Sequence, residues 1–396
     1  MHDTCRFLKI WIPAVLAILC PLSTGFGNDV FTECLASCSA REALLAAGEP
    51  IIGDLVKQHV KHLANSSDHQ VCVKRSLLNS GQCEKGTATK VCYSPDNSAN
   101  TVDLHRQKIS FISTEDGTTQ YAYLIVPEHV TTDETYLVVS LHSWSSDFNQ
   151  RSDLEKMVFD KGWFYLFPDF RGPNQRPAAC GSKLAQQDIL DALDFTLKKY
   201  SLDSKKVFLT GTSGGGHMAM LMSGLYPQRW RAACSWVGIS DLVTWHKKHL
   251  GSRYGNMIEK SCGGRPGVSI AVDEEYRMRS PVNWISNANK LPIALFAGIH
   301  DGHQGSVPIR QSINAFNALC RQNGDSGITE TEAQQLSRKD GRLVQPKPND
   351  EGFDKALGRH YYLHRRSESA QIMIFEGGHE CISAGTMDWF ERSISQ

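Results

Sequence analysis

The pentapeptide Gly211-Thr212-Ser213-Gly214-Gly215 stands between two segments of different hydrophobic period. Before it, Lys206-Val207-Phe208-Leu209 is a short apolar run suited to a buried strand, and after it Gly216 to Tyr226 reads as a helix. A serine between small residues at such a junction fits a strained strand-to-helix turn that exposes its hydroxyl. The helix N-terminus then aims the Gly214 backbone N–H at any negative charge developing beside that hydroxyl. A phosphate-binding turn would need the G-K-[ST] of a P-loop or a G-x-G-x-x-G pattern, and neither is present.

A strand–turn–helix unit of this kind needs a sheet to belong to, and the chain supplies one. Apolar runs recur at 136–141, 163–167, 207–209, 293–297 and 372–375, with helix-like stretches at 150–161 and 184–200 between the early ones. Such alternation implies an α/β fold, a mostly parallel sheet covered by helices on both faces. Two further runs at 109–112 and 121–126 flank an Asp116-Gly117 turn, a hairpin that adds antiparallel strands at one edge. No repeat of 20–50 residues occurs, which excludes solenoids and propellers. The 42 basic and 42 acidic residues cancel, leaving no electrostatic footprint for nucleic acid. No apolar run reaches the roughly 18 residues of a spanning helix, so stable membrane insertion is not expected.

The front of the chain has a different texture. Residues 1–27 carry Arg6 and Lys9, an apolar stretch from Ile10 to Leu22, and Gly25 and Gly27 around Phe26, the pattern of a cleaved export signal. A secreted or periplasmic protein is therefore expected. Residues 28–100 are read as a helical and Cys-bearing extension, and 101–396 as the catalytic domain. Cys34, Cys38, Cys72, Cys83 and Cys92 lack paired C-x-x-C spacing, so disulfides are favoured over zinc, with connectivity open. Cys234, inside an apolar run, reads as a buried free thiol.

Serine is a weak nucleophile without a base held by a third group. On a strand-end turn of this type the order along the chain is Ser, acid, His. Asp301 follows the run at 293–297, and His379 follows the run at 372–375 in a Gly377-Gly378-His379 loop, so Ser213, Asp301 and His379 are the expected catalytic set. Asp241 is the rival acid. A second oxyanion donor belongs in the loop after Leu141, where the backbone N–H of Trp144 is assigned beside that of Gly214, with His142 as an organiser of the loop.

These pieces, in order, resemble the catalytic domain of the prolyl oligopeptidase family of serine hydrolases over about residues 105–395. Pro168-Asp169-Phe170-Arg171-Gly172, Asp188-Ile189-Leu190-Asp191-Ala192, Arg279-Ser280-Pro281 and Val307-Pro308 extend the match. The resemblance implies an α/β-hydrolase fold and an acyl-enzyme mechanism through Ser213, Asp301 and His379, with no cofactor and no metal requirement. It also implies peptide or amide substrates. A carboxylesterase acting on small acyl or polysaccharide-linked esters is the alternative, and a catalytically silent binding protein on the same fold a remote one. The oligomeric state is left open. Three departures stand out: residues 30–100 are too few for the family's propeller, no Tyr lies in 141–150 to donate to an oxyanion, and Cys320 to Ser369 holds more polar sequence than the family places between acid and base. Within it, residues 323–358 are expected either to roof part of the cleft or to be a surface excursion.

The cysteine pattern is directly testable. Unreduced tryptic peptides of the exported protein should contain disulfide-linked pairs drawn from Cys34, Cys72, Cys83 and Cys92. Mass spectrometry that finds all four alkylated without reductant would contradict this reading.

Overall fold

The computed structural model describes residues 106–130, 135–288 and 290–395. The expected export signal, the extension at 28–100 with its five cysteines, and the start of the catalytic domain at 101 lie outside the described residues.

Six strands form a parallel centre: β3 (Leu137–Leu141), β4 (Phe164–Pro168), β5 (Val207–Thr212), β6 (Ala232–Trp236), β7 (Ile293–Gly298) and β10 (Ala370–Phe375). Apart from Thr212 every residue in them is buried, which is why they read as unbroken apolar runs rather than alternating ones. The hairpin β1 (Gln107–Ile112) and β2 (Thr119–Ile125) adds antiparallel strands beside β4, as the Asp116-Gly117 turn predicts. Among the described residues the sheet has ten strands in the order β1-β2-β4-β3-β5-β6-β7-β10-β9-β8. At the far edge β9 (Arg359–Ser367) and β8 (Gly352–Asp354) are also antiparallel, an extension the sequence does not announce.

Helices cover both faces. α2 (Lys183–Tyr200), α3 (Gly214–Leu225) and α7 (Arg310–Asn323) bury their apolar stripes against one face, and α1 (Leu154–Asp160) and α9 (Ser383–Ile394) against the other. α4 (Leu242–Lys248), α5 (Arg253–Cys262) and α6 (Ile270–Arg279) form a smaller cluster around Trp144, Trp245 and Tyr276. Strand order runs outward in both directions from β3, to β4 on one side and β5 on the other. That reversal is the point where open α/β sheets leave a crevice at the carboxyl ends of their strands.

The stretch 323–358 is not a loose excursion. It contains α8 (Glu330–Leu336), closed by a Thr329/Glu332 capping box, and it buries Ile328, Ala333, Leu336 and Leu343. Arg365 of β9 ties it down through a two-pronged pair with Asp350 (2.9 and 2.8 Å) and a contact with Glu332 at 2.7 Å. Near the carboxyl edge it meets the Asp301 loop through His303 Nε2 and the Ser337 carbonyl, 3.1 Å apart. Among the described residues no hydrogen bond joins it to Ser213 or His379. Its strand β8 forms the outer edge of the sheet.

The Phe170-Arg171-Gly172 and Asp188 motifs meet in one network. Arg171 pairs with Asp188 through Nε (2.5 Å) and Nη2 (3.0 Å), and with Asp116 of the hairpin turn at 2.7 Å. Ser113 Oγ completes Asp188 at 2.7 Å. Asp188 is fully buried, so the guanidinium is its main electrostatic compensation. Arg171→Ala should therefore lower stability by about 3–5 kcal/mol, since it leaves a buried carboxylate without its cation. Urea unfolding of the two proteins measures this; a loss under about 1 kcal/mol would contradict the assigned role.

Candidate active site

Ser213 caps the carboxyl end of β5 with φ 60° and ψ −115°, a conformation that L residues adopt only when the surroundings enforce it. Its N–H donates to the Trp236 carbonyl at 2.8 Å, and its own carbonyl accepts from His217 at 2.8 Å. The turn is packed too closely for side chains on the neighbouring glycines. A Cβ on Gly215 would lie 2.0 Å from the Leu141 carbonyl oxygen, and one on Gly214 would lie 2.3 Å from the Trp144 nitrogen. Sequence reasoning placed these glycines at the turn, and the structure gives the reason for them.

Asp301 follows β7 and His379 follows β10, which are parallel neighbours, so both loops emerge side by side. His379 Nε2 lies 2.9 Å from Ser213 Oγ, and its Nδ1 lies 2.6 Å from Asp301 Oδ2. The other carboxylate oxygen, Oδ1, accepts from the backbone N–H groups of Gly302 (2.8 Å) and Val307 (3.0 Å). Asp301 is 2% exposed, whereas the His379 side chain is 26% exposed. The structure thus brings the three expected residues together in hydrogen-bond order.

The remaining nearby groups are accounted for. Asp241 is not part of the array: it caps α4, accepting from Val243 N at 2.9 Å and Thr244 N at 3.1 Å. His142 is buried, its Nε2 lies 2.7 Å from the Asp169 carbonyl, and its ring stacks on Phe170 at 3.8 Å, which fits a loop organiser. Burial holds its imidazolium form down. Burial pushes His217, in the first turns of α3, down to about 4, so this imidazole stays neutral and its Nε2–H donates to the Arg279 carbonyl at 2.7 Å. Cys381, two residues beyond His379, is pushed up to about 11 by burial and stays a thiol at neutral pH. Cys234 is buried and free, as its apolar run predicts.

The Gly214 backbone packs against the Trp144 backbone beside Ser213, and among the described residues neither N–H has a protein acceptor. The Trp144 ring does not line the cleft; it is 2% exposed and packs edge-on against Trp245 at 4.6 Å. Among the described residues no group of three or more His, Cys, Asp or Glu is placed to hold a metal ion.

Residues 150–334, which include Ser213 and Asp301, match the family model described as the prolyl oligopeptidase family. The match covers a little under half of the chain. It is 28% identical to the acylamino-acid-releasing enzyme of Rattus norvegicus over 183 residues, 42% of this chain and 23% of that one. It is 26% identical to the probable acetylxylan esterase A of Neosartorya fischeri over 145 residues, 34% of this chain and 39% of the esterase. The chain therefore spans well under half of either relative. Among solved structures the uncomplexed acylaminoacyl peptidase of Pyrococcus horikoshii superposes with a TM-score of 0.50 at 18% identity, covering 74% of this chain and 42% of that one. That likeness supports the α/β-hydrolase fold.

What the sequence did not signal is how the Asp301 loop is held. Trp245, Lys248 and His249 of the α4 region contact it, and no sequence motif points to them. The competition between the two carboxylates can be read in solution. Asp301→Asn should lower turnover by roughly 10²–10⁴-fold, while Asp241→Asn should cost only a helix cap. Steady-state kinetics on equally folded variants decide it; a larger loss from Asp241→Asn would overturn the assignment of the acid.

Proposed function

We propose that Ser213, His379 and Asp301 are the catalytic triad of a secreted, prolyl oligopeptidase-like serine peptidase that works through an acyl-enzyme. The observation that carries this reading is the unbroken chain Ser213 Oγ–His379–Asp301 at 2.9 and 2.6 Å. His379 Nε2 takes the Ser213 proton as Oγ attacks the acyl carbonyl carbon. The Gly214 and Trp144 amide N–H groups donate to the developing oxyanion. His379 then passes its proton to the leaving nitrogen or oxygen, and the C–N or C–O bond breaks. In the second half a water molecule gives its proton to His379 and attacks the acyl-enzyme, which releases the acid and returns the proton to Ser213. Throughout, Asp301 remains ionised; it fixes the imidazole tautomer and stabilises the imidazolium.

The leaving group is the finer question. Similarity to the acylamino-acid-releasing enzyme supports peptide or amide substrates. Similarity to the probable acetylxylan esterase supports a second reading, hydrolysis of small acyl esters including those on polysaccharides. Both reactions use the same oxyanion and the same proton shuttle, so the triad itself is indifferent to the choice. Export from the cell is part of the proposal and rests on the pattern of residues 1–27.

Ser213→Ala should abolish covalent labelling by a fluorophosphonate probe and lower turnover by about 10³-fold or more, leaving only the binding and oxyanion contributions. Undiminished labelling of the folded variant would remove Ser213 from the mechanism. Assaying the wild type in parallel on a p-nitrophenyl ester and an aminoacyl-prolyl amide separates the two substrate classes. Activity on the ester alone would replace peptidase by esterase.

A further inference from the structure

The loop from Asp301 to Val307 is held from outside by α4 and the residue that follows it. Trp245 Nε1 donates to the Ser306 carbonyl at 2.9 Å, and His249 Nε2 meets the same oxygen at 2.7 Å. Lys248 Nζ donates to the Gly302 carbonyl at 2.7 Å. Trp245 and His249 are four residues apart, which sets both on the same side of the helix. Burial, with Lys248 beside it, holds the His249 imidazolium form down, so the ring carries one proton and Nε2 donates it.

The Ser306 carbonyl and the Val307 N–H are the two ends of one peptide group. Its N–H end donates to Asp301 Oδ1 at 3.0 Å. A trans peptide is planar, so fixing the oxygen fixes the direction of the N–H. Two donors on the oxygen also polarise the amide and strengthen the bond its N–H makes. Oδ1 is thereby pinned, and the opposite oxygen is directed at His379 Nδ1. Space in the loop is equally tight: a Cβ on Gly305 would lie 2.2 Å from Asp301 Oδ1 and 2.8 Å from His379 Cβ.

We propose that Trp245 and His249 are positioning residues for the hydrolytic reaction, acting through the Ser306–Val307 peptide to orient the Asp301 carboxylate towards His379. The inference rests on the triad reading of Ser213, His379 and Asp301. It assigns Trp245 a role beyond filling the aromatic cluster with Trp144 and Tyr254.

Donor-specific substitutions in the full chain separate positioning from packing. His249→Ala removes the donor, whereas His249→Gln offers an amide N–H at about the same reach. Trp245→Phe keeps a large ring and deletes only the N–H. The readouts are the second-order rate of fluorophosphonate labelling and the kcat and KM for p-nitrophenyl acetate. His249→Ala and Trp245→Phe should each lower the labelling rate and kcat by about tenfold with KM within about twofold, the scale expected for a slight misplacement of a catalytic group. His249→Gln should recover most of the loss. In an Asp301→Asn background His249→Ala should change the labelling rate by less than about twofold, because the group it positions has gone. Equal losses in His249→Ala and His249→Gln, a loss that persists undiminished in the Asp301→Asn background, or an effect confined to KM would each overturn the proposal. Failure of the triad reading looks different: Ser213→Ala would then still be labelled at the wild-type rate.

Discussion

The site depends on how closely the turn at Ser213 approaches the end of β3. Gly215 lies against the Leu141 carbonyl and Gly214 against the Trp144 backbone, with no room for a Cβ at either contact. This approach does two things at once. It holds Ser213 at a positive φ that an isolated chain would leave, and it sets the loop after β3 beside the N-terminus of α3. A side chain at Gly215 would force β3 and α3 apart.

On the other side the parallel pairing of β7 with β10 gives the acid and the base their neighbouring loops. The pairing continues past the strands, with Ile299 N donating to Phe375 O at 2.9 Å and His300 N to Gly377 O at 3.0 Å. Asp301 therefore leaves the sheet at a fixed height relative to His379. A buried carboxylate needs compensation, and here two backbone amides and an imidazole supply it. Backbone donors are well suited to this task because they remain hydrogen-bond donors without a titratable proton of their own.

Much of this was legible in the sequence because it is encoded locally. The six central strands announce themselves as apolar runs, and Ser213, Asp301 and His379 each follow such a run directly. The Asp116-Gly117 turn marks the hairpin in the same way. What escaped was set by contacts between distant residues. β8 and β9 form the second antiparallel edge through polar, half-exposed segments whose alternation is weak. Asp241 looks like a strand-end acid until the helix after it shows that its carboxylate is occupied by the N–H groups of α4. Arg171 and Asp188 are sequence neighbours of nothing in common, and only the crossover through α2 brings them to the hairpin turn. The polarity of 323–358 gave no hint that its few apolar residues would find a place in the core.

The exposure of the three central groups follows from what each has to do. Asp301 changes neither its charge nor its position during the proposed reaction, so it can be walled in completely, and it is. Ser213 must present one atom to the substrate while its backbone stays fixed by Trp236, and it is 8% exposed. His379 has the opposite requirement. In the proposed reaction it takes a proton from one partner and gives it to another, so one edge of its ring must meet the substrate and the solvent. A quarter of its side chain is open, and Asp301 Oδ2 holds the ring at Nδ1. Rigidity is therefore concentrated on the acid, and the base borrows its orientation from it. For that arrangement to hold, the acid loop must itself be fixed from beyond the triad, and the amide between Ser306 and Val307 is where α4 reaches it.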